Sequence, residues 1–240
     1  MTKTRGLKQV KSKIGDITSE IDKLLKKNKQ IHIFELGVGV GNALMALGKK
    51  YGKRVLLSGM NLKKSHGIAK RSDFIKHSLN CKVIKKSDLN NISCPKIYLG
   101  DAGVKIPLED NSVDFVYSIT TFFFIPDKAH AIEEIYRILK PRGIAVIHFK
   151  FKVPEFPKEY QNLFCINKDK KKINIDSYFK NFDDWGIKLK KTKYPGVRIL
   201  LIDKIKNSLN LGLKFNKQKS IKLSDVGYQH EATMSVFEIK

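Results

Sequence analysis

Apolar residues along this chain fall into short unbroken runs separated by stretches with a three-and-four spacing, and that pattern gives the first expectation of a fold. Ile31 to Asn42 reads Ile-His-Ile-Phe-Glu-Leu-Gly-Val-Gly-Val-Gly-Asn, an apolar run closed by an acidic residue and three glycines at alternate positions. A short continuous apolar run is how a strand buried on both faces shows itself. Ala43 to Lys49 follows at once with helical composition, so the glycines occupy a strand-to-helix turn. There the backbone turns tightly and meets a ligand more closely than any Cβ allows, beside the unpaired amides and positive dipole end of a helix. Arg54 to Ser58 predicts a second strand leading into Gly59-Met60-Asn61-Leu62. Val113 to Ile119, β-branched and aromatic, predicts a buried central strand. Ala129 to Leu139 carries apolar residues at Ala131, Ile132, Ile135, Ile138 and Leu139, the stripe of a helix packed on a sheet. Pro141 and Gly143 stop it, and Ile144 to Phe149 supplies another strand. Alternating strands and helices predict an α/β fold: a mostly parallel sheet with helices on both faces.

The flanks are less regular. Ile17 to Leu25 predicts a helix, with Asp16 and Ser19 as candidate caps. Beyond Lys150, Val153 to Pro157 and Asn167 to Lys172 read as loops, and Asp176 to Asp184 as a helix. Ile187 to Thr192 predicts an alternating edge strand and Ala232 to Ile239 a final strand. On that reading Pro195 to Gln229 is an insertion between the last two strands, with an amphipathic helix in Val197 to Leu213. The expected organisation is one domain in three parts: an amino-terminal arm and capping helix (1–30), a ligand-binding core (31–150), and the last two strands with a substrate-shaping insertion (151–240).

The glycine turn lacks the dinucleotide fingerprint, which needs a glycine where Asn42 stands. Its spacing, Glu35-x-Gly37-x-Gly39-x-Gly41, resembles the first motif of the class I S-adenosylmethionine-dependent methyltransferases. Gly100-Asp101-Ala102, the run Ile106 to Ser118, and Glu134-x-x-Arg137-x-Leu139-Lys140-Pro141-Arg142-Gly143 follow in the same family's order. The resemblance covers about half the chain, Ile31 to Lys150, and is strongest to the small-molecule type that includes quinone and sterol methyltransferases. It implies a Rossmann-like seven-stranded sheet, mostly parallel with a final antiparallel strand, and S-adenosylmethionine as cofactor. It further implies that Glu35 orients the loop and the methionine end of the cofactor, and that Gly37, Gly39 and Gly41 offer backbone contacts. Asp101 would accept a hydrogen bond from the adenine amino group, with Ala102 and Ser118 bordering the adenine and the methyl donor. Asp114 and Arg137 read as a turn residue and a surface or sheet-edge ion. One position departs from the family: Asn61 stands where an acidic residue usually accepts both ribose hydroxyls. An amide offers one acceptor and one donor, and hydrogen bonds to charged groups are the stronger, so the exchange implies a loss of about 1 kcal/mol in cofactor affinity.

Composition adjusts this picture more than it changes it. The 240 residues fit one domain with a sizeable core. Cys81, Cys94 and Cys165 are too scattered for a disulfide framework or a metal site. No apolar run approaches the ~20 residues of a membrane helix, and a cytoplasmic, soluble protein is expected. The net charge of +24 invites a polyanionic partner. The excess is spread along the chain, however, and all but six of the 47 basic residues are lysines, the poorer fork for phosphate.

Methyl transfer from a sulfonium needs placement and exclusion of water above all, and a base only for an acceptor that must lose a proton. Thr120 to Phe124 is the expected approach of the acceptor, with Phe122, Phe123 and Phe124 either stacking on it or packing in the core. His66, His130, His148 and His230 are the eligible histidines, none assigned. Tyr178, Phe179, Phe182, Trp185 and Tyr194 fit stacked bases or core positions equally. Ser118-Ile119-Thr120-Thr121-Phe122 is not the Asn/Asp-Pro-Pro-aromatic motif of base N-methylation, and that segment has no cysteine for cytosine C5 chemistry. The expected activity is methyl transfer to an O, N or C atom of a small molecule. Two alternatives stay open: an RNA methyltransferase using the basic surface, and an inactive methyltransferase-like binding partner, suggested by Asn61.

Overall fold

The computed structural model describes residues 6–62, 70–150, 164–192, 197–225 and 228–240, with the side chains of 150 and 217–232 excepted. Two helices, α1 (Leu7–Ile14) and α2 (Ile17–Lys27), lead into β1 (Ile31–Leu36), α3 (Asn42–Tyr51), β2 (Val55–Asn61), α4 (Arg71–Asn80), β3 (Lys96–Leu99), β4 (Val113–Ser118), α5 (Lys128–Ile138) and β5 (Leu139–Lys150). The remainder is β6 (Phe164–Lys168), β7 (Lys171–Ile173), α6 (Ile175–Lys180), β8 (Ile187–Lys191), β9 (Val197–Asp203), β10 (Leu213–Asp225) and β11 (Tyr228–Ile239).

Seven strands form one sheet in the order β3-β2-β1-β4-β5-β9-β8. Pairing is parallel from β3 to β5, while β9 runs antiparallel to both β5 and β8. This is the expected Rossmann-like sheet with one reversed strand. Alternate side chains serve its two faces. Ile33, Phe115, Tyr117 and Val146 pack with Val10, Ile21, Leu47 and Phe74 of α1 to α4. Phe34, Leu36, Val116 and Ile147 pack with Ile132, Ile135 and Tyr136 of α5. Asp16 caps α2 as expected, accepting from Thr18 N at 3.1 Å. Helicity also reaches into the arm, where α1 buries Val10 and Ile14.

The carboxyl-terminal third differs from expectation. Val197 to Asp203 is a strand, not the first half of an amphipathic helix. Its apolar run fills the gap between β5 and β8, and both of its edges are hydrogen-bonded. The last two strands of the main sheet are therefore β8 and β9, and Pro195 to Gln229 is not an insertion between them. The strand expected at Ala232 to Ile239 exists, as part of β11, in a second sheet of order β10-β11-β6-β7. Asn167 to Lys172, expected as a loop, holds the ends of β6 and β7 around a turn at Asp169 and Lys170, both in the left-handed region. The expected loop at Val153 to Pro157 lies outside the described residues, as do His66, Tyr194 and residues 1–5. The second sheet packs through aromatics into the α5 face: Phe149 meets Phe164 edge-on at 5.2 Å, and Phe164 stacks on Phe237 at 4.6 Å. Tyr178, Phe179 and Phe182 are buried in the same cluster, which gives those rings a packing role.

Candidate active site

Strand order reverses between β1 and β4, and in a doubly wound sheet the crevice at the carboxyl ends of those strands is where a ligand binds. Leu36 pairs with both Met60 and Ser118, so β1, β2 and β4 end level with one another. The glycine turn leaves β1 there. Gly37, Gly39 and Gly41 all have positive φ, at +82°, +58° and +78°. They face different surroundings. A Cβ on Gly37 would collide with the Thr121 side chain, and one on Gly41 with the Phe74 ring, whereas a Cβ on Gly39 would have no atom within 4 Å. Two of the glycines therefore allow the chain to pack against itself, and at Gly39 alone of the three the space a Cβ would take is open.

Glu35 is 3% exposed and accepts a hydrogen bond at 2.8 Å from the Tyr117 hydroxyl, its neighbour across β4. Burial pushes the Tyr117 phenol well above its ordinary value, and the Glu35 carboxylate adds to that, so Tyr117 stays a donor. Asn61, 2% exposed, is bound to the turn itself: Gly39 N donates to its Oδ1 at 2.8 Å and its Nδ2 donates to Gly39 O at 3.2 Å. The amide thus braces the one open glycine, a task for which a carboxylate has no donor. Asp101 lies beyond β3 and is half-buried, with its Oδ1 accepting from Gly103 N at 2.8 Å. Ala102 and Ser118 are buried, and Ser118 Oγ donates to Leu36 O at 2.9 Å, which ties β4 to the start of the turn. Every candidate site residue thus falls at the carboxyl ends of β1 to β4 or in the loops that leave them.

Sequence reasoning missed the residues that shape this crevice from outside the motifs. Thr121 Oγ1 donates to Leu36 O at 3.0 Å, and Phe74 of α4 covers Gly41. Asn42, the first residue of α3, is 1% exposed, and both of its amide atoms lack a partner in the structure. On the acceptor side Phe122 is buried against Phe149, while Phe123 and Phe124 are half-buried. His148 of β5 lies 6.4 Å, ring to ring, from Phe123. His130 is remote in role, its Nε2 on Val104 O and its ring beside Glu133. Asp114 is not an exposed turn residue: it is buried in β4, where it accepts from His32 N and Lys140 Nζ. Arg137 staples the loop before β4 by bonding Glu134, Asp110, Leu108 O and Ile106 O.

Residues 34–147 match the family described as Methyltransferase domain. Over those residues the chain is similar to that family. The chain is 27% identical over 147 residues to the demethylmenaquinone methyltransferase of Staphylococcus aureus, covering 54% of each chain. It is 32% identical over 111 residues to the enzyme of the same description from Staphylococcus haemolyticus, covering 39% of this chain and 45% of that one. The sterol 4-C-methyltransferase of Caenorhabditis elegans matches at 22%, over 56% of this chain and 36% of its own. The chain thus spans about half or less of the length of the curated relatives it matches. A solved methyltransferase from Aquifex aeolicus, dependent on S-adenosylmethionine, has a TM-score of 0.44 at 18% identity, covering 75% of this chain and 88% of that one.

S-adenosylmethionine is the cofactor of this domain family, and the residues present fit it. Gly39 leaves open the space a Cβ would take beside the start of α3, the orphaned Asn42 amide lies at the same helix start, and Asp101 offers a carboxylate at the next strand end. Among the described residues no His, Cys, Asp and Glu group is arranged to hold a metal ion, and no helix is long and apolar enough to cross a membrane. A groove of about 550 Å³ lies between the start of α2 and the strands β5, β9 and β8, and no residue of the glycine turn lines it.

Proposed function

We propose that this chain is an S-adenosylmethionine-dependent methyltransferase that acts on a small-molecule acceptor. The observation that carries the reading is the braced glycine turn at the β1/β4 switch point, with Gly39 open and Asp101 at the adjoining strand end. When bound, the cofactor supplies an electrophilic methyl carbon on a sulfonium, and the acceptor atom displaces the sulfur in line. This chain's own residues do the placing. Glu35, held by Tyr117, fixes the end of β1. Asn61 holds Gly39 by both its N–H and its carbonyl, and the space a Cβ would take there stays open for the ligand. Asp101 is the acceptor for an adenine amino group, and Ala102 and Ser118 wall the site. Holding the partners at near-attack distance supplies most of what such a displacement needs.

The acceptor enters on our reading over Phe123 and Phe124, whose half-buried rings suit a flat or apolar molecule. The quinone and sterol relatives support that size class. His148, in ring contact with Phe123, is the candidate to take a proton from a hydroxyl or acidic carbon. Calorimetric titration with S-adenosylhomocysteine tests the cofactor half of the proposal: micromolar binding that Asp101→Ala weakens about tenfold is expected. Transfer of labelled methyl to 1,4-naphthoquinols, sterols and small amines, with RNA as a further arm, tests the acceptor half. Labelling confined to RNA would overturn the small-molecule reading.

A further inference from the structure

Lys128 opens α5 immediately after the loop that leaves β4, and it is 1% exposed. Its ammonium donates to Ile125 O at 2.7 Å, Thr233 O at 2.7 Å and Ser235 Oγ at 2.8 Å. The first acceptor belongs to the loop after β4 and the other two to β11 of the second sheet. Two more bonds cross the same seam: Thr233 N donates to Phe123 O at 2.6 Å, and Ser235 Oγ donates to Pro126 O at 2.5 Å. A buried cation is costly unless its donors are all met, and an apolar side chain would fill this space without that cost. Three N–H groups on three oxygens point to a task that packing alone does not need.

We propose that Lys128 is a positioning residue for methyl transfer, clamping β11 to the loop that carries Phe123 and Phe124 so that the second sheet and the acceptor side of the crevice are held as one body. The proposal rests on the methyltransferase reading for its purpose, while the clamp itself rests on geometry. The groups facing the amine are Asp127 from the cap of its own helix, Asp101 from the loop after β3, Cys165 from β6, and the neutral Thr233 and Ser235 from β11. Burial brings Lys128 down to about 7 against the opposing pull of Asp101, Asp127 and Cys165. Burial pushes the Cys165 thiol up, so it stays neutral there. An opening that solvates the amine returns it to the ordinary lysine range, so opening takes up a proton and the seam tightens as pH rises. Global stability moves the same way. The folded value lies below that of an unfolded lysine, so the unfolded chain binds more protons from about pH 7 to pH 10, and this group's contribution to stability rises with pH across that window. A merely structural lysine would move stability alone, whereas loss of this clamp should raise the acceptor's KM with S-adenosylhomocysteine affinity unchanged.

Hydrogen exchange at the Thr233 and Ser235 amides, measured on the full chain from about pH 6 to pH 9 and corrected for intrinsic rates, reads the clamp directly. In wild type, protection should rise about tenfold across that range together with the lysine's share of thermal stability; in Lys128→Met it should be flat. Ser235→Ala removes one acceptor without removing the titrating group, and should lower protection yet keep its rise with pH. Flat protection in wild type or in Ser235→Ala, or wild-type protection in Lys128→Met, overturns the proposal. Calorimetry with S-adenosylhomocysteine on the same samples keeps the two readings apart: no binding alongside the expected exchange pattern would sink the methyltransferase reading and its purpose for the clamp, while the clamp stands.

Discussion

The cofactor half of the molecule, β1 to β5, and the second sheet are built by opposite rules. In the first, parallel strands buried on both faces end level with one another, and backbone does the work: three glycines at positive φ and a side-chain amide that bonds main chain at both ends. In the second, antiparallel hairpins carry aromatics inward, with exposed lysines 168, 170, 171 and 172 at one turn. There the join to the rest is made by side chains, through the Phe149, Phe164 and Phe237 stack and the Lys128 bonds. A site made of backbone tolerates few residue types at fixed spacings, whereas a cover made of side chains tolerates many. That contrast is what one expects when one half holds a common cofactor and the other fits a particular acceptor.

The severest way to break the contrast is to cut the aromatic join. Phe237 is fully buried between Phe164 and Phe215. Phe237→Ala should cost about 3–5 kcal/mol. Because its neighbours belong to the same core cluster as α5, the loss should appear as one lowered unfolding transition. A separate early transition of the second sheet would show that the two regions fold independently.

Within the cofactor half, Gly37 and Gly39 make a sharper pair. Gly37→Ala puts a Cβ into Thr121 at a φ of +82°, and should lower stability by about 2–3 kcal/mol. Gly39→Ala meets no neighbour, and should cost about 1 kcal/mol in folding while weakening S-adenosylhomocysteine about tenfold or more as the Cβ enters the ligand's space. Denaturant melts and calorimetry on both variants check the split. Equal effects on folding and binding would mean that Gly39 is not the open member.

Next in size is Asn61→Asp. Sequence alone suggests that restoring the family's acidic residue strengthens the cofactor. The structure reverses the sign, because the carboxylate cannot donate to Gly39 O and sets negative charge against that carbonyl. A loss of about 1–2 kcal/mol in stability is expected, with no gain in affinity. Tighter S-adenosylhomocysteine binding at unchanged stability would restore the ribose role.

These effects mirror what was legible in the sequence. The parallel core was readable because strands buried on both faces leave continuous apolar runs, and because the turn glycines and Asp101 stand at fixed spacings. Val197 to Asp203 was misread because Ile-Leu-Leu-Ile carries no strand alternation once both faces are buried, and a short apolar run does not separate helix from strand. Ala232 to Ile239 reads correctly as a strand, but the sheet it joins is not legible locally: besides β10, the strand just before it, its partner is β6, far back in the chain. Lys128 looks like any solvated lysine, and no periodicity marks it, since its three acceptors come from residues 125, 233 and 235. Glu35 was legible as a motif residue, yet the Tyr117 hydroxyl that holds it was not.

The smallest expected effect lies at the joint between the two regions. Asp176 of α6, the helix leading from β7 to β8, receives Arg198 of β9 on both oxygens, at 2.8 Å and 2.7 Å. The Arg198 hydrogen bonds hold its carboxyl below the usual range, against the opposing effect of burial. A lowered folded value means that this stabilisation is present above the unfolded carboxylate value and is lost as pH falls through the folded one, below about pH 4. Asp176 keeps 31% of its side chain in solvent, so screening limits the pair to about 0.5–1 kcal/mol. Asp176→Asn should therefore lower the melting temperature slightly at neutral pH and flatten its dependence below about pH 4, with S-adenosylhomocysteine affinity unchanged. Should that small loss also weaken the ligand, the joint would transmit strain from the side-chain-built cover into the backbone-built site, and the two regions could no longer be treated as separate in their effects on binding.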